Sequence, residues 1–150
     1  MTEVGYAVLG DLPSLKSIDF GTGINTLVSF SLYWVKALES LYIPKNITNI
    51  EICALSGCDS LTTITVDPEN PVYDCRDNCN AIISTADNTL IAGCKTTVIP
   101  TSVTSLAESA FDTCTTLETV TIPANITNIG PYCFYCCTGI RTFNYNGTTE

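Results

Sequence analysis

Histidine is absent from these 150 residues, and there are one tryptophan, one methionine and only six basic residues against fifteen acidic ones. Each shortage excludes something. Without imidazole there is no Ser-His or Cys-His nucleophile pair and no ordinary general base near neutral pH. A formal charge of −9 repels phosphate backbones and anionic lipid, so neither nucleic acid nor a charged membrane surface is an expected partner. No apolar run is long enough for a transmembrane helix, and direct membrane insertion is not expected. The opening Met-Thr-Glu-Val-Gly has no basic n-region followed by an apolar stretch, so it does not read as a signal peptide. A Gly-rich phosphate loop is missing too. These exclusions leave no catalytic residues and no cofactor, and no enzyme is expected.

What is present is a period. Phe20, Ile43 and Val66 are 23 residues apart, as are Ile99, Ile122 and Tyr145, and the one longer step, Val66 to Ile99, is 33. Further columns follow the same spacing: Ile24, Ile47, Val103 and Ile126; Leu27, Ile50, Leu106 and Ile129; Leu32, Leu55, Phe111 and Phe134. Behind them run Val35, Cys58, Cys114 and Cys137, then Leu38, Leu61, Leu117 and Ile140. Leu41, Ile64, Val120 and Phe143 close the set. One unit cannot bury enough apolar surface alone, whereas stacked units bury the columns as continuous ladders. The expected fold is a leucine-rich-repeat solenoid forming one domain over 1–150.

Within a unit, Leu61-Thr-Thr-Ile-Thr-Val66 and Leu117-Glu-Thr-Val-Thr-Ile122 alternate apolar and polar residues as half-buried strands do. Proline at 44, 100 and 123 ends each strand by removing a ladder donor. The segment 49–58 is expected to be a short helix or 3-10 turn on the side opposite the strands, with Ala54 and Leu55 facing the core. The long unit, about 67–98, has apolar runs at 81–84 and 90–92 around Ala86-Asp-Asn88, the pattern of a β-hairpin insert. Val4, Leu9, Leu12, Leu15 and Ile18 match residues 23 further on, and Tyr145 is a repeat anchor near the other end. The expectation is therefore a segment of a longer array whose ends are covered by flanking repeats or another subunit.

Nine cysteines are the richest chemical candidates. Cys58, Cys114 and Cys137 share a column that wants a small buried side chain. Cys75-x3-Cys79 and Cys133-x2-Cys136-Cys137 lack the paired knuckles and histidines of a zinc site, so no metal is assigned. The odd count leaves at least one thiol unpaired, and the expected state is mostly reduced; Cys79 and Cys94 flank the hairpin and are the pair best placed for a disulfide, if their Cα atoms approach within about 7 Å. Asp67, Glu69, Asp74 and Asp77 cluster, but their spacing matches no calcium loop. Sequons occur at Asn46, Asn125 and Asn146, which either accept glycans or serve turns. A row of Asp19, Tyr42, Thr65, Thr121 and Asn144 is expected on the outer face of the strands, either as a hydroxyl ladder or as a binding wall. Between strands, the turn segments vary most, and Tyr33, Trp34, Tyr132 and Tyr135 fall at positions expected to be mainly exposed. Exposed Tyr and Trp are the residues that dominate interface energetics.

The unit Ile-Pro-x-x-Ile-Thr-x-Ile-x3-Ala/Cys-Leu/Phe-x-x-Cys-x-x-Leu-x-x-Ile/Val, clearest over 43–64 and 99–120, resembles the BspA-type leucine-rich repeat. The insert with Asp67-Pro-Glu-Asn-Pro-Val-Tyr-Asp74 and Thr89-Leu-Ile-Ala-Gly-Cys94 is similar to the hairpin-bearing unit of gut-bacterial members. The resemblance implies a cell-surface or secreted protein of host-associated bacteria or parasitic protists, acting in adhesion to host matrix or other cells. Three functions stay open. One is a non-catalytic adhesion module for a protein or glycan; the second is a structural spacer in a larger surface protein. The third is a diversified receptor-binding protein.

Overall fold

The computed structural model describes residues 2–147. Its strands are β1 (Glu3–Val4), β2 (Thr26–Leu27), β3 (Ser40–Ile43), β4 (Asn49–Ile50), β5 (Thr63–Val66) and β6 (Tyr73–Asp74). They continue with β7 (Ala81–Ser84), β8 (Thr89–Gly93), β9 (Ser105–Leu106), β10 (Thr119–Ile122), β11 (Asn128–Ile129) and β12 (Thr142–Tyr145). The chain coils through these as a leucine-rich-repeat solenoid. β3, β5, β10 and β12 form one wall, the two-residue strands together with β7 and β8 a second, and tight turns the third. Register follows the period: Leu41 pairs with Ile64, Val120 with Phe143, and Val4 with Leu27 and Leu27 with Ile50. Alternation explains the burial, since Leu41, Ile43, Ile64 and Val120 point inward while Ser40, Tyr42, Thr63, Thr65, Thr119 and Thr121 face out.

The turn side departs from the helical expectation. Among the described residues the one 3-10 turn is Arg76–Asn78, in the long unit, and the segment 49–58 is β4 followed by a run of turns over 52–57. The reason is a pair of left-handed columns. Ala7, Phe30, Cys53, Ser109 and Tyr132 all have φ between 52° and 58° or 61°, and Asp11, Trp34, Gly57, Thr113 and Cys136 form a second positive-φ set. Two such residues per rung break a right-handed helix. The turns are held by the neighbouring rung instead: Leu32 N donates to Ala54 O, Trp34 N to Ser56 O, Phe111 N to Cys133 O and Thr113 N to Tyr135 O, at 2.7–3.0 Å. Ala54 and Leu55 are buried as expected.

The hairpin forms from β7 and β8, antiparallel, with β6 beside β7 and β9 beside β8. It is a partition between two cores. Ile82 and Ala92 pack into the core of the N-terminal rungs, while Ala81, Ile83 and Leu90 pack into that of the C-terminal rungs. A strand covered on both faces reads as an unbroken apolar run, which Ala-Ile-Ile is. The partition also interrupts the long-strand wall, because β5 pairs only with β3, and β10 only with β12, among the described residues. At the stack's end β12 has its Phe143 and Tyr145 exposed, whereas their counterparts in mid-stack are covered by the next rung.

Asparagines stitch a corner of the coil. Asn46 Nδ2 donates to Ile24 O, Asn70 Nδ2 to Ile47 O and Asn125 Nδ2 to Val103 O, all carbonyls of one column in the preceding rung. Asn70 does most. It is buried, donates also to Pro44 O at 3.0 Å, and accepts from Val72 N and Tyr73 N at 2.9 Å. Asn70→Ala removes the partners of two amides and of Ile47 O and leaves Pro44 O with the Ile47 amide alone, and is expected to lower unfolding free energy by roughly 2–4 kcal/mol in urea titration. The left-handed columns give the opposite sign. Ser109→Gly is expected to raise stability by about 1 kcal/mol because Gly carries no Cβ penalty there, while Ser105→Gly in β9 lowers it by a similar amount.

Candidate functional site

The turn side presents the aromatics. Tyr6, Phe30, Tyr33 and Trp34 make a continuous row: Tyr6–Phe30 and Phe30–Tyr33 meet edge to face at 5.6 and 5.4 Å, and Tyr33 stacks on Trp34 at 5.4 Å. Lys36 Nζ lies 4.5 Å from the Trp34 ring centre, a cation–π contact. Tyr33 is half-buried within this row rather than mainly exposed, because rings on either side cover it. Trp34 seats on Gly57, where a Cβ would stand 2.1 Å from its ring. A second cluster lies at the other end of the same columns. Tyr132 and Tyr135, 64% and 58% exposed, meet edge to face at 5.8 Å. Below them Phe134 stacks on Phe111 at 5.1 Å and touches Phe143. Between the clusters the same columns hold Cys53, Ser56, Gly57, Ser109, Asp112 and Thr113. The turn face thus has aromatic ends and a small-residue middle. Tyr6 and Phe30 were not among the sequence candidates; the left-handed turns bring them to Tyr33.

On the outer face of the long-strand wall, Tyr42 donates its hydroxyl to Asp67 Oδ2 at 2.7 Å, and Lys45 pairs with Glu69 at 2.6 Å. The Glu69 amide first, and the Tyr42 hydroxyl second, hold the Asp67 carboxyl below its ordinary value; the same hydroxyl bond raises Tyr42. Asp19 caps a turn by accepting from Gly21 N at 2.9 Å, and Asn144 Nδ2 donates to Thr121 Oγ1 at 3.3 Å. Of the remaining carboxylates, Asp74 grips Arg76, which also reaches Asn88. No group of three potential metal ligands comes together among the described residues.

The sequons divide by setting. Asn46 and Asn125 are half-buried, and the amide nitrogen a glycan would occupy is the one donating to Ile24 O or Val103 O. Asn146 is exposed, and its Thr148 lies outside the described residues.

All nine cysteines are free thiols, so the Cys79–Cys94 bridge is not made. The two sulfurs are turned to separate carbonyls, Cys79 Sγ to Ala81 O and Cys94 Sγ to Asn80 O. The column cysteines are more than small apolar fillers. Cys58 Sγ donates to Leu32 O at 3.3 Å and Cys137 Sγ to Phe111 O at 2.9 Å, each a carbonyl of the preceding rung. Burial pushes the thiols of Cys58, Cys79, Cys114 and Cys133 up to about 12, and that of Cys137 to about 11.

Comparison with known proteins agrees with this geometry. The family profile described as BspA type leucine rich repeat region matches in six copies over residues 1–81 and 87–150. No curated protein matches the chain in sequence. Among solved structures, the pneumococcal vaccine antigen PcpA superposes with a TM-score of 0.74 at 18% identity, over 97% of this chain and 38% of that one. A leucine-rich cell surface protein from Faecalibacterium prausnitzii superposes with a TM-score of 0.66 at 20% identity, covering 92% and 43% of the two chains. A leucine-rich repeat protein from Eubacterium ventriosum gives 0.65 at 19%, covering 90% and 43%. The chain spans less than half the length of each of these structures, and at such identities the likeness is one of fold.

The thiol environments set an order of reactivity. A neutral, buried thiol is a poor nucleophile. At pH 8 a thiol-reactive disulfide reagent is expected to modify exposed Cys136 in the native protein, while Cys58, Cys79, Cys114, Cys133 and Cys137 react only in denaturant. Peptide mass mapping of the modified sites, before and after urea, checks the assignment.

Proposed function

The chain belongs to the BspA-type leucine-rich-repeat family, and on that premise we propose that it is a non-catalytic binding module whose turn face docks a protein or glycan at a cell surface or in the secreted state. The observation that carries this reading is the pair of surface aromatic clusters at the two ends of one set of columns, Tyr6–Phe30–Tyr33–Trp34, exposed at Tyr6 and Trp34, and Tyr132–Tyr135, exposed at both rings. Large aromatics on a soluble surface cost hydration free energy, and planar rings suit both peptide side chains and the apolar faces of sugars. Trp34 and Tyr132 also occupy left-handed backbone positions that favour glycine, so scaffold stability does not account for them. Host matrix proteins or another cell's surface are the partners this reading addresses. A spacer role has its own support in the exposed Phe143 and Tyr145 of β12, a face suited to a further rung or another subunit.

Binding of the recombinant chain to immobilised matrix proteins and to a glycan array tests the proposal. Any saturable binding is expected to weaken at least tenfold in a Tyr33→Ser/Trp34→Ser/Tyr132→Ser/Tyr135→Ser variant, since anchor rings carry about 2 kcal/mol or more each. Absence of binding by the parent chain, or equal binding by parent and variant, sinks the turn-face reading.

A further inference from the structure

The broken wall leaves two strand edges, and they are treated differently. On the β5 side the long unit caps two carbonyls with side chains. Thr96 Oγ1 donates to Thr62 O at 2.6 Å and Cys75 Sγ to Ile64 O at 3.0 Å. In the second wall Tyr73 Oη accepts from Ile50 N at 3.0 Å. Those backbone groups would otherwise pair with a regular rung.

The β10 edge has no such caps. Thr142 N donates to Glu118 O and Asn146 N to Ile122 O. Peptide groups alternate sides along a strand, so residues 118, 120 and 122 face β12 while the N–H and C=O of Thr119 and Thr121 face the gap. No partner for these four groups occurs among the described residues. They open onto a groove of about 470 Å³ whose walls include Val98, Ile99, Val120, Pro123 and Ala124. That volume lies within the range of ligand-binding clefts. Val98 is the second sign. In its row the other rungs place Asp19, Tyr42, Thr65, Thr121 and Asn144, yet this rung presents a valine that is 73% exposed. Its own amide is already spent on Cys79 O, so what it offers the groove is apolar surface.

We propose that the β10 edge docks an extended peptide segment, which adds to the β10–β12 pair as a further strand. Unpaired amides and carbonyls on alternate residues are matched in spacing only by another extended backbone. The occupant continues an existing sheet and covers Val98 with an apolar or β-branched side chain. Charge narrows it further. No residue lining the groove is charged, within a chain of net charge −9, so the segment is neutral or basic rather than acidic. This site lies on the strand wall and is independent of the aromatic turn face.

The probe is a synthetic peptide with the strand sequence of residues 61–66, Leu-Thr-Thr-Ile-Thr-Val, acetylated and extended by one lysine amide. Saturable binding is expected by fluorescence anisotropy, with amide exchange at Thr119 and Thr121 slowed at least tenfold by NMR. N-methylating alternate peptide residues in one register is expected to weaken binding at least tenfold, and in the other register less than twofold. Thr121→Pro deletes one edge donor and spares the backbone ladder to β12, losing only the exposed Asn144 side-chain bond there, at a position where proline is tolerated. It is expected to weaken binding at least tenfold, whereas Thr121→Val, which loses the same side-chain bond but keeps the amide, binds within twofold of the parent. The Tyr132→Ser/Tyr135→Ser variant binds the peptide unchanged, so failure here and failure of the turn-face reading are separable. The proposal is overturned by no saturable binding, by equal binding of both methylated registers or of Thr121→Pro, or by Thr119 and Thr121 amides already protected in the free protein.

Discussion

Outside the long unit, the rungs of this coil are completed by the backbone of a neighbour. The step is about 23 residues and recurs on all three sides: Thr62 N to Glu39 O at the strand wall, Thr48 N to Asn25 O at the second wall, and Trp34 N to Ser56 O at the turns. A buried peptide group left unpaired costs as much as a lost hydrogen bond, so this constraint reaches the side chains. Where proline at 44 or 123 removes an amide, an asparagine two residues on reaches back to the preceding rung. Where a turn carbonyl points inward, a column cysteine donates to it. The left-handed residues belong to the same account. Holding Phe30, Trp34 or Tyr132 at positive φ is unfavourable locally, and the rung-to-rung bonds on either side offset it.

The long unit shows what happens when the step is broken. Ten extra residues cannot be absorbed in a turn without displacing a strand from the wall. They fold back as β7 and β8, which separate two cores and feed side chains to both. Asp59 then joins rungs across the unit, accepting from Thr115 N at 2.9 Å and from Thr115 Oγ1 at 2.7 Å. The corner is therefore continuous while the wall beside it is not. A repeat scaffold is monotonous by construction, so an interruption of this kind is where its surface acquires a distinct shape.

The placement of the aromatics fits a division of labour. Columns that face inward tolerate little change, since each residue touches its counterparts above and below. Residues in the left-handed turns are mostly exposed or half-buried and are held by backbone bonds that do not depend on the side chain. Such positions accept Phe, Trp, Tyr, Ser, Thr or Cys with the same local geometry, which frees them for recognition.

The apolar period determined the coil and the core columns, and two apolar runs around Ala86-Asp-Asn88 the hairpin, because burial in a stacked rung depends on side-chain spacing, and spacing is written in the chain. The same period missed Asn70, which sits 24 residues after Asn46 rather than 23; the recurring Pro-x-Asn at 44–46, 68–70 and 123–125 was the available signal. Helical turns were expected because short apolar spacings of three and four suit a helix equally well, whereas the sign of φ is set by pairing with the next rung. Tyr33 looked exposed by column and became half-buried because Phe30 and Trp34 close over it. The free thiols of Cys79 and Cys94, the capped β5 edge and the open β10 edge were decided by the tertiary structure. Each depends on which groups from residues tens of positions apart arrive at one place, and a one-dimensional pattern does not carry that.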